Sequence, residues 1–215
     1  MIKNKLSVNK YTLPDSIILE PGFDADYYIW QPNNIYIVLG RANSIESSVI
    51  EENALIDNVK VFKRPSGGES VVLSPSMLVF SSKFNKEKDK RPGDYFTAIN
   101  NSLIKEFTAL GMRDLYSKGI SDISINSRKI MGSSMYLTGN TLFYHAVLNV
   151  SEDVNLLSRY LKHPSREPDY RIGRSHSEFV TSIYNEGYIL TVPNIKEAVK
   201  QAFDALHNKI GNNIN

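Results

Sequence analysis

In Arg64-Pro65-Ser66-Gly67-Gly68 a cation stands just ahead of two adjacent glycines. Glycine takes positive φ and lets backbone approach a ligand without a Cβ in the way, and successive N–H groups in such a turn form an anion-binding concavity. Lys63 and Arg64 supply charge for a phosphate or a carboxylate. The same residues also suit an ordinary hairpin turn. A second glycine–cation pair, Gly40-Arg41, closes the apolar run Ile35–Leu39. Lys129 follows a turn, with Gly132-Ser133-Ser134 leaving open backbone beside it. A lysine there can hold a phosphate or a developing oxyanion, or it can simply be exposed. Asp122, at the end of Gly119-Ile120-Ser121-Asp122, can take Mg²⁺, a ribose or an amine, or be a plain turn aspartate.

His145 lies within an apolar strand and reads as a hydrogen-bonded core histidine. With four histidines, none at metal spacing, no metal site is expected. Tyr170 to His176 holds three cations and a glycine, which suits either a loop closing over a phosphate or a basic surface loop. Walker A, GxGxxG and Ser/His/Asp patterns are missing from the sequence.

The elements that must position these residues follow from pattern. Residues 1–34 read as irregular, punctuated by Pro14, Pro21, Gly22 and Pro32, with a short strand at Ile17–Leu19 and a short helix or strand at Asp24–Trp30. Ile35–Leu39 predicts a buried strand, and Ser44–Asp57 a short helix capped by Ser44. Apolar runs around Val61 and Val72 anchor the ends of the glycine loop in a sheet. Phe96, Ile99, Leu103, Ile104, Phe107 and Leu110 predict a helix that Asp94 caps and Gly111 stops. Strands are expected at Asp122–Asn126, Lys129–Leu137 and Thr141–Val150, separated by turns at Ser127-Arg128 and Thr138-Gly139-Asn140. A helix at Glu152–Leu161 with Ser151 as cap, a polar stretch at His163–His176 and a helix at Asn194–Ile210 complete the chain. Strands grouped with a few helices mean an α+β fold, a mainly antiparallel sheet with helices packed on it.

At 215 residues the chain fits one domain. A net charge of +2, from 25 basic and 23 acidic residues, is too balanced to make nucleic acid the main partner. No apolar run reaches membrane-spanning length and the N-terminus lacks a signal-peptide core, so a cytoplasmic protein with no membrane partner is expected. Cysteine is absent, which excludes a disulfide framework, a thiolate metal site and a cysteine nucleophile.

In order from about Tyr36 to Leu161, the chain carries Val38-Leu39-Gly40-Arg41-Ala42-Asn43, Arg64-x-Ser66-Gly67-Gly68, Gly119-x-x-Asp122, Lys129-Ile130-x-Gly132-Ser133 and a strand bearing His145. This order resembles the lipoate–protein ligase and octanoyltransferase family, which shares its catalytic fold with biotin–protein ligases. Residues 168–176 followed by Ser177-Glu178-Phe179-Val180-Thr181 resemble its single-domain branch. The resemblance implies that Arg64, Ser66, Gly67 and Gly68 line a pocket for the lipoyl chain and its activated phosphate, bordered by Gly40 and Arg41. It implies that Lys129, beside Gly132 and Ser133, contacts the acyl carbonyl and phosphate of an acyl-adenylate, with Asp122 near the nucleotide and His145 on the pocket wall. The implied reaction joins lipoate or octanoate to AMP from ATP, with Mg²⁺, and passes the acyl group to a lysine of an acceptor domain. Acceptors would be a 2-oxoacid dehydrogenase E2 or a glycine cleavage H protein, with a separate accessory ligase subunit as a further partner. The accessory C-terminal domain of longer ligases has no room within residues 1–215.

Three departures stand out. Glu69 occupies the place of the family's third loop glycine, Leu73-Ser74 stands where His-Asp is common, and Ser121 replaces an asparagine, which weakens the magnesium–nucleotide site. Glu69 and Ser121 favour an alternative, a non-catalytic binder of lipoate or a lipoyl protein, and a transferase of the second half-reaction alone is a further one. Arg64 and Lys129 favour the ligase.

Overall fold

The computed structural model describes residues 5–211, with side chains described to residue 208. Among the described residues ten strands form two sheets. Tyr27–Trp30 (β2), Met77–Asn85 (β6), Leu115–Lys118 (β7), Asp122–Ile125 (β8), Arg128–Thr138 (β9) and Thr141–Asn149 (β10) make a six-stranded antiparallel sheet in the order β2-β6-β10-β9-β8-β7. Val8–Lys10 (β1), Tyr36–Leu39 (β3), Lys60–Lys63 (β4) and Val71–Leu73 (β5) make a four-stranded mixed sheet in the order β1-β4-β3-β5.

Period-two burial stacks these sheets. In the small sheet Ile37, Leu39, Val61 and Val72 face one core, shared with Ile45–Ser48 (α1), Glu51–Ile56 (α2) and Asn155–Tyr160 (α4), while Val38, Phe62 and Leu73 face a second core shared with Trp30 and Val79 of the large sheet. Burial on both faces is why these strands read as unbroken apolar runs. The far face of the large sheet is covered by Pro92–Ala109 (α3) and Val192–Gly211 (α6), whose Ile99, Leu103, Phe107, Val199 and Phe203 pack on Phe80, Tyr144 and Leu148. The α+β architecture and its antiparallel sheet are thus as expected, and no helix of the described residues is long and apolar enough to cross a membrane.

Several local expectations change. Ile17–Leu19 belongs to a 3-10 helix, Pro14–Leu19, opened by its proline. Of Asp24–Trp30, only Tyr27–Trp30 is regular, as strand β2. The helix expected over Ser44–Asp57 is two, α1 and α2: Ser44 accepts from Ser47 N as predicted, but Val49 bridges Leu161 and Ile50 N donates to Tyr160 O, pulling that β-branched pair out of helical geometry. Asp94 sits inside α3 and accepts from Arg91 N at 2.7 Å, so the cap lies three residues earlier. The turn after β8 is Asn126-Ser127, with Asn126 at φ 53°, and Arg128 already belongs to β9. Ser151 caps nothing; Asp153 accepts from Asn155 N as α4 begins. The stretch 163–176 contains a 3-10 turn, Asp169–Arg171, and leads into His176–Phe179 (α5), capped by Ser175. The side chain of Ile210 lies outside the described residues.

Candidate active site

β4 and β5 flank β3 instead of pairing with each other, so the Arg64–Glu69 loop is no hairpin turn but a crossover above the end of β3. Gly40 ends that strand. A Cβ on Gly40 would lie 1.8 Å from the carbonyl oxygen of Gly68, which is why the position is glycine. Arg64 N donates to Leu39 O and Arg41 N to Ser66 O, each at 3.0 Å, closing the crossover. The Arg64 side chain is buried and organises the loop from inside: Nε donates to Ser66 Oγ (3.1 Å), Nη1 to Val38 O (3.3 Å), and Nη2 to Gly67 O (2.8 Å) and Glu69 O (2.7 Å). Burial lowers its pKa to about 10, still leaving it charged at neutral pH. Its guanidinium is spent on the loop, so it shapes the site and offers little to a ligand.

The large sheet supplies the floor. Across three strands Ser81, His145 and Ser134 are register partners in one row. Ser134 Oγ donates to Gly67 O at 2.8 Å, and His145 Nε2 lies 2.6 Å from Ser66 Oγ, so one row of side chains ties the loop to the sheet. Ser81 Oγ and Tyr11 Oη both donate to the buried Asp15, at 2.6 and 2.8 Å, and Tyr11 packs edge-on against His145. Burial, aided by Arg64, pushes the His145 pKa down to about 3. A histidine held neutral against a fully buried serine, which Arg64 also contacts, is a poor base, so the pair braces the loop and does not form a nucleophilic dyad.

Lys129 is placed by a β-bulge. Ile123 pairs with Met131 and Ser124 with Lys129, leaving Ile130 unopposed. Ile130 and Met131 therefore both enter the helix-side core, and Lys129, which strict alternation would send the same way, turns to the cavity. Its Nζ lies 2.8 Å from Asp122 Oδ1, above Gly132, where an added Cβ would sit 2.6 Å from that nitrogen. Tyr170 Oη donates to Asp122 Oδ2 at 2.8 Å, so both oxygens of Asp122 are committed. Ser133 Oγ donates to Ser121 O at 2.8 Å and steadies the turn before Asp122.

These groups line a cavity of about 980 Å³ between the sheets, walled on the outer side by residues 162–180. Arg64, Gly68, Asp122, Lys129, Gly132, Ser133 and His145 reach its wall. Ser66 and Gly67 lie behind it, holding the loop, and Gly40 is buried beneath Gly68. Arg41 contributes backbone to the crossover, but its side chain is exposed and does not reach the wall. Glu69 also lines the cavity, with its carboxylate accepting from Asn43 Nδ2 (3.1 Å) and Arg166 N (3.3 Å), which ties the loop to the outer wall. Sequence reading missed Tyr11, Asp15, Ser81 and the pairing of Tyr170 with Asp122, and it took Ser134 only as open backbone beside Lys129. None of them left a periodic signal: Tyr11 precedes the 3-10 turn Pro14–Leu19 that carries Asp15.

Over residues 19–204 the sequence matches the family described as lipoyl protein ligase A/B catalytic domain. The chain belongs to this family. A protein described as probable lipoate-protein ligase A from Mycoplasma pneumoniae is 28% identical over 134 residues, covering 62% of this chain and 39% of that protein. This chain therefore aligns with well under half the length of that relative. Among solved structures, a lipoate-protein ligase A bound with ATP superposes with a TM-score of 0.74 at 19% identity, covering 94% of this chain and 84% of the other. A bipartite lipoate protein ligase from Thermoplasma acidophilum, described together with its E2 lipoyl domain, gives 0.73 at 22% identity, covering 84% and 71%. At such identities these superpositions establish the fold, which is that of lipoyl ligase catalytic domains.

Proposed function

We propose that this chain is a lipoate–protein ligase that makes an acyl-adenylate from lipoate (or octanoate) and ATP and transfers the acyl group to a lysine of a lipoyl-acceptor domain. The carrying observation is Lys129, its ammonium fixed by Asp122 over Gly132 on the wall of a cavity that also receives the glycine loop. The apolar stretch of that wall, including Val38, Leu73, Met77, Val79 and Val147, suits an eight-carbon chain and holds the carboxylate near the cation, which is the proximity contribution. Lys129 then faces the carboxylate and the α-phosphate oxygens, countering charge first at phosphorus and later at the acyl carbon. The acceptor amine attacks that carbon, the acyl–phosphate bond breaks, and AMP leaves.

The donor set does not fit a protein-held magnesium ion. Asp122 is shared between Lys129 and Tyr170, and the described residues contain no cluster of three potential ligands. A metal would arrive with the triphosphate, and no step here depends on one. Acceptor candidates are a 2-oxoacid dehydrogenase E2 lipoyl domain or a glycine cleavage H protein, and the bipartite Thermoplasma ligase leaves room for a separate accessory subunit.

The test is pyrophosphate release from Mg-ATP with lipoate present, followed by the mass of a lipoyl domain added afterwards. Lipoate-dependent release and a lipoyl mass gain are expected. Neither product, from protein that stays folded and is given a candidate accessory subunit, would overturn the assignment.

A further inference from the structure

The outer wall, residues 162–180, contains a cation that the acyl-transfer geometry leaves unused. Arg171 is 4% exposed and lines the cavity. The one hydrogen bond its side chain makes among the described residues runs from Nε to Arg174 O at 2.9 Å, and its Nη2 is buried without a partner. A guanidinium offers five donors, and buried donors left unpaired are costly, so this one is built for something. Glu167 does not supply it: its carboxylate approaches the Nε edge at 3.5 Å and is itself held by Gly173 N at 2.8 Å and His163 Nε2 at 3.3 Å.

The surroundings hold Arg171 rigidly. Its guanidinium carbon lies 4.9 Å from the centre of the Phe179 ring, with Arg174 at 5.2 Å from the same ring and Tyr170 packed against it at 5.0 Å. Ile172, next in the chain, is β-branched yet adopts a left-handed conformation, φ 54° and ψ 47°, with its side chain 82% exposed. Such strain persists only where the surroundings impose it, and it clusters at ligand clamps. Tyr170, the residue before Arg171 in the chain, donates to Asp122, the carboxylate that holds Lys129, and Arg171, Asp122 and Lys129 line the same cavity. Lys162, Arg166 and His176 line the same wall.

We infer that Arg171 is an oxyanion receptor for the pyrophosphoryl part of a nucleoside triphosphate, separate from Lys129. This rests on the ligase reading above. A carboxylate oxygen of the acyl substrate forms a bond to the α-phosphorus, the bond from that phosphorus to the oxygen bridging to the β-phosphate breaks, and pyrophosphate leaves with the electron pair. Lys129 sits at the α-phosphate and Arg171 takes the departing anion, for which a planar fork of donors is the matching shape.

The test is calorimetric titration with inorganic pyrophosphate of the wild-type protein, Arg171→Gln and Arg171→Lys, with thermal melts to confirm folding. Losing the charged fork is expected to weaken pyrophosphate binding about 10- to 100-fold in R171Q, with R171K between. ATP-driven acyl-adenylate formation should fall at least about tenfold further than transfer from ready-made lipoyl-AMP. Should R171Q not fold, R171K carries the comparison. Wild-type protein that does not bind pyrophosphate, or folded variants that bind it equally well, would overturn the inference. Pyrophosphate binding that depends on Arg171, in a protein that makes no acyl-adenylate, would instead sink the ligase reading and leave the anion site standing.

Discussion

On β10, Leu142, Tyr144, Ala146 and Leu148 join the core under α3 and α6, while Phe143, His145 and Val147 face the space between the sheets. Neighbouring residues of one strand thus serve two environments. The helix side is apolar and closed by Phe107 and Phe203, both fully buried, and its interactions are non-directional. The cavity side has small and polar residues in register, Ser81, His145 and Ser134, and each spends its hydrogen bonds on positioning something else. The apolar core lies on the first face and the candidate site on the second, and substitutions should separate the two.

The largest effect on stability is expected from Phe107→Ala, a cavity in the helix-side core costing about 3–5 kcal/mol in denaturant unfolding. In protein that remains folded, turnover per molecule should be little changed. The converse is Lys129→Ala, with a loss of roughly 10²–10³ in acyl transfer and a small change in melting temperature. Wild-type-like turnover by that variant would remove Lys129 from the mechanism. Gly132→Ala tests placement more finely, because the new Cβ would collide with the flexible end of Lys129 and make ordinary contact with Asp122 Oδ1. It should lower the rate by about tenfold through misplacement while the melting temperature stays close to that of the wild type.

His145 gives the cavity face a signature in pH. Its pKa is about 3 in the fold, against about 6.5 in the unfolded chain. The unfolded state therefore binds the extra proton between these values, and stability is complete above the upper one and lost as pH falls toward the lower. The slope is roughly 1.4 kcal/mol per pH unit for one proton, and His145→Gln should abolish that share of it, as read from unfolding free energy against pH. The smallest effect is expected from Glu69→Gly. Since its carboxylate engages Asn43 and the Arg166 amide, its loss should loosen the outer wall and weaken nucleotide binding slightly. A tighter nucleotide complex, measured by calorimetry, would show that the carboxylate repels phosphate instead.

Much of this molecule was legible before folding. The helix-side core follows from the stripe Phe96, Ile99, Leu103 and Phe107, because burying an amphipathic face imposes its period on the sequence. The strands and their alternation follow likewise, and the order of the glycine loop, Asp122, Lys129 and His145 identified the family. Local pattern failed where partners are distant in sequence. Val49 and Ile50 leave the helix for contacts with Leu161 and Tyr160. Tyr170 finds Asp122 from 48 residues away, a separation that leaves no periodic trace.

What the sequence by itself determined is the composition of the two faces and the residue types at the candidate site, since burial and glycine's conformational freedom act residue by residue. Tertiary structure alone decided their direction. The insertion of β3 between β4 and β5 turned a supposed hairpin into a crossover pressed onto Gly40. A single unopposed residue, Ile130, turned Lys129 from the helix core into the cavity. Both outcomes depend on which strands pair and in what register, and pairing is a long-range choice that one strand's own pattern does not contain.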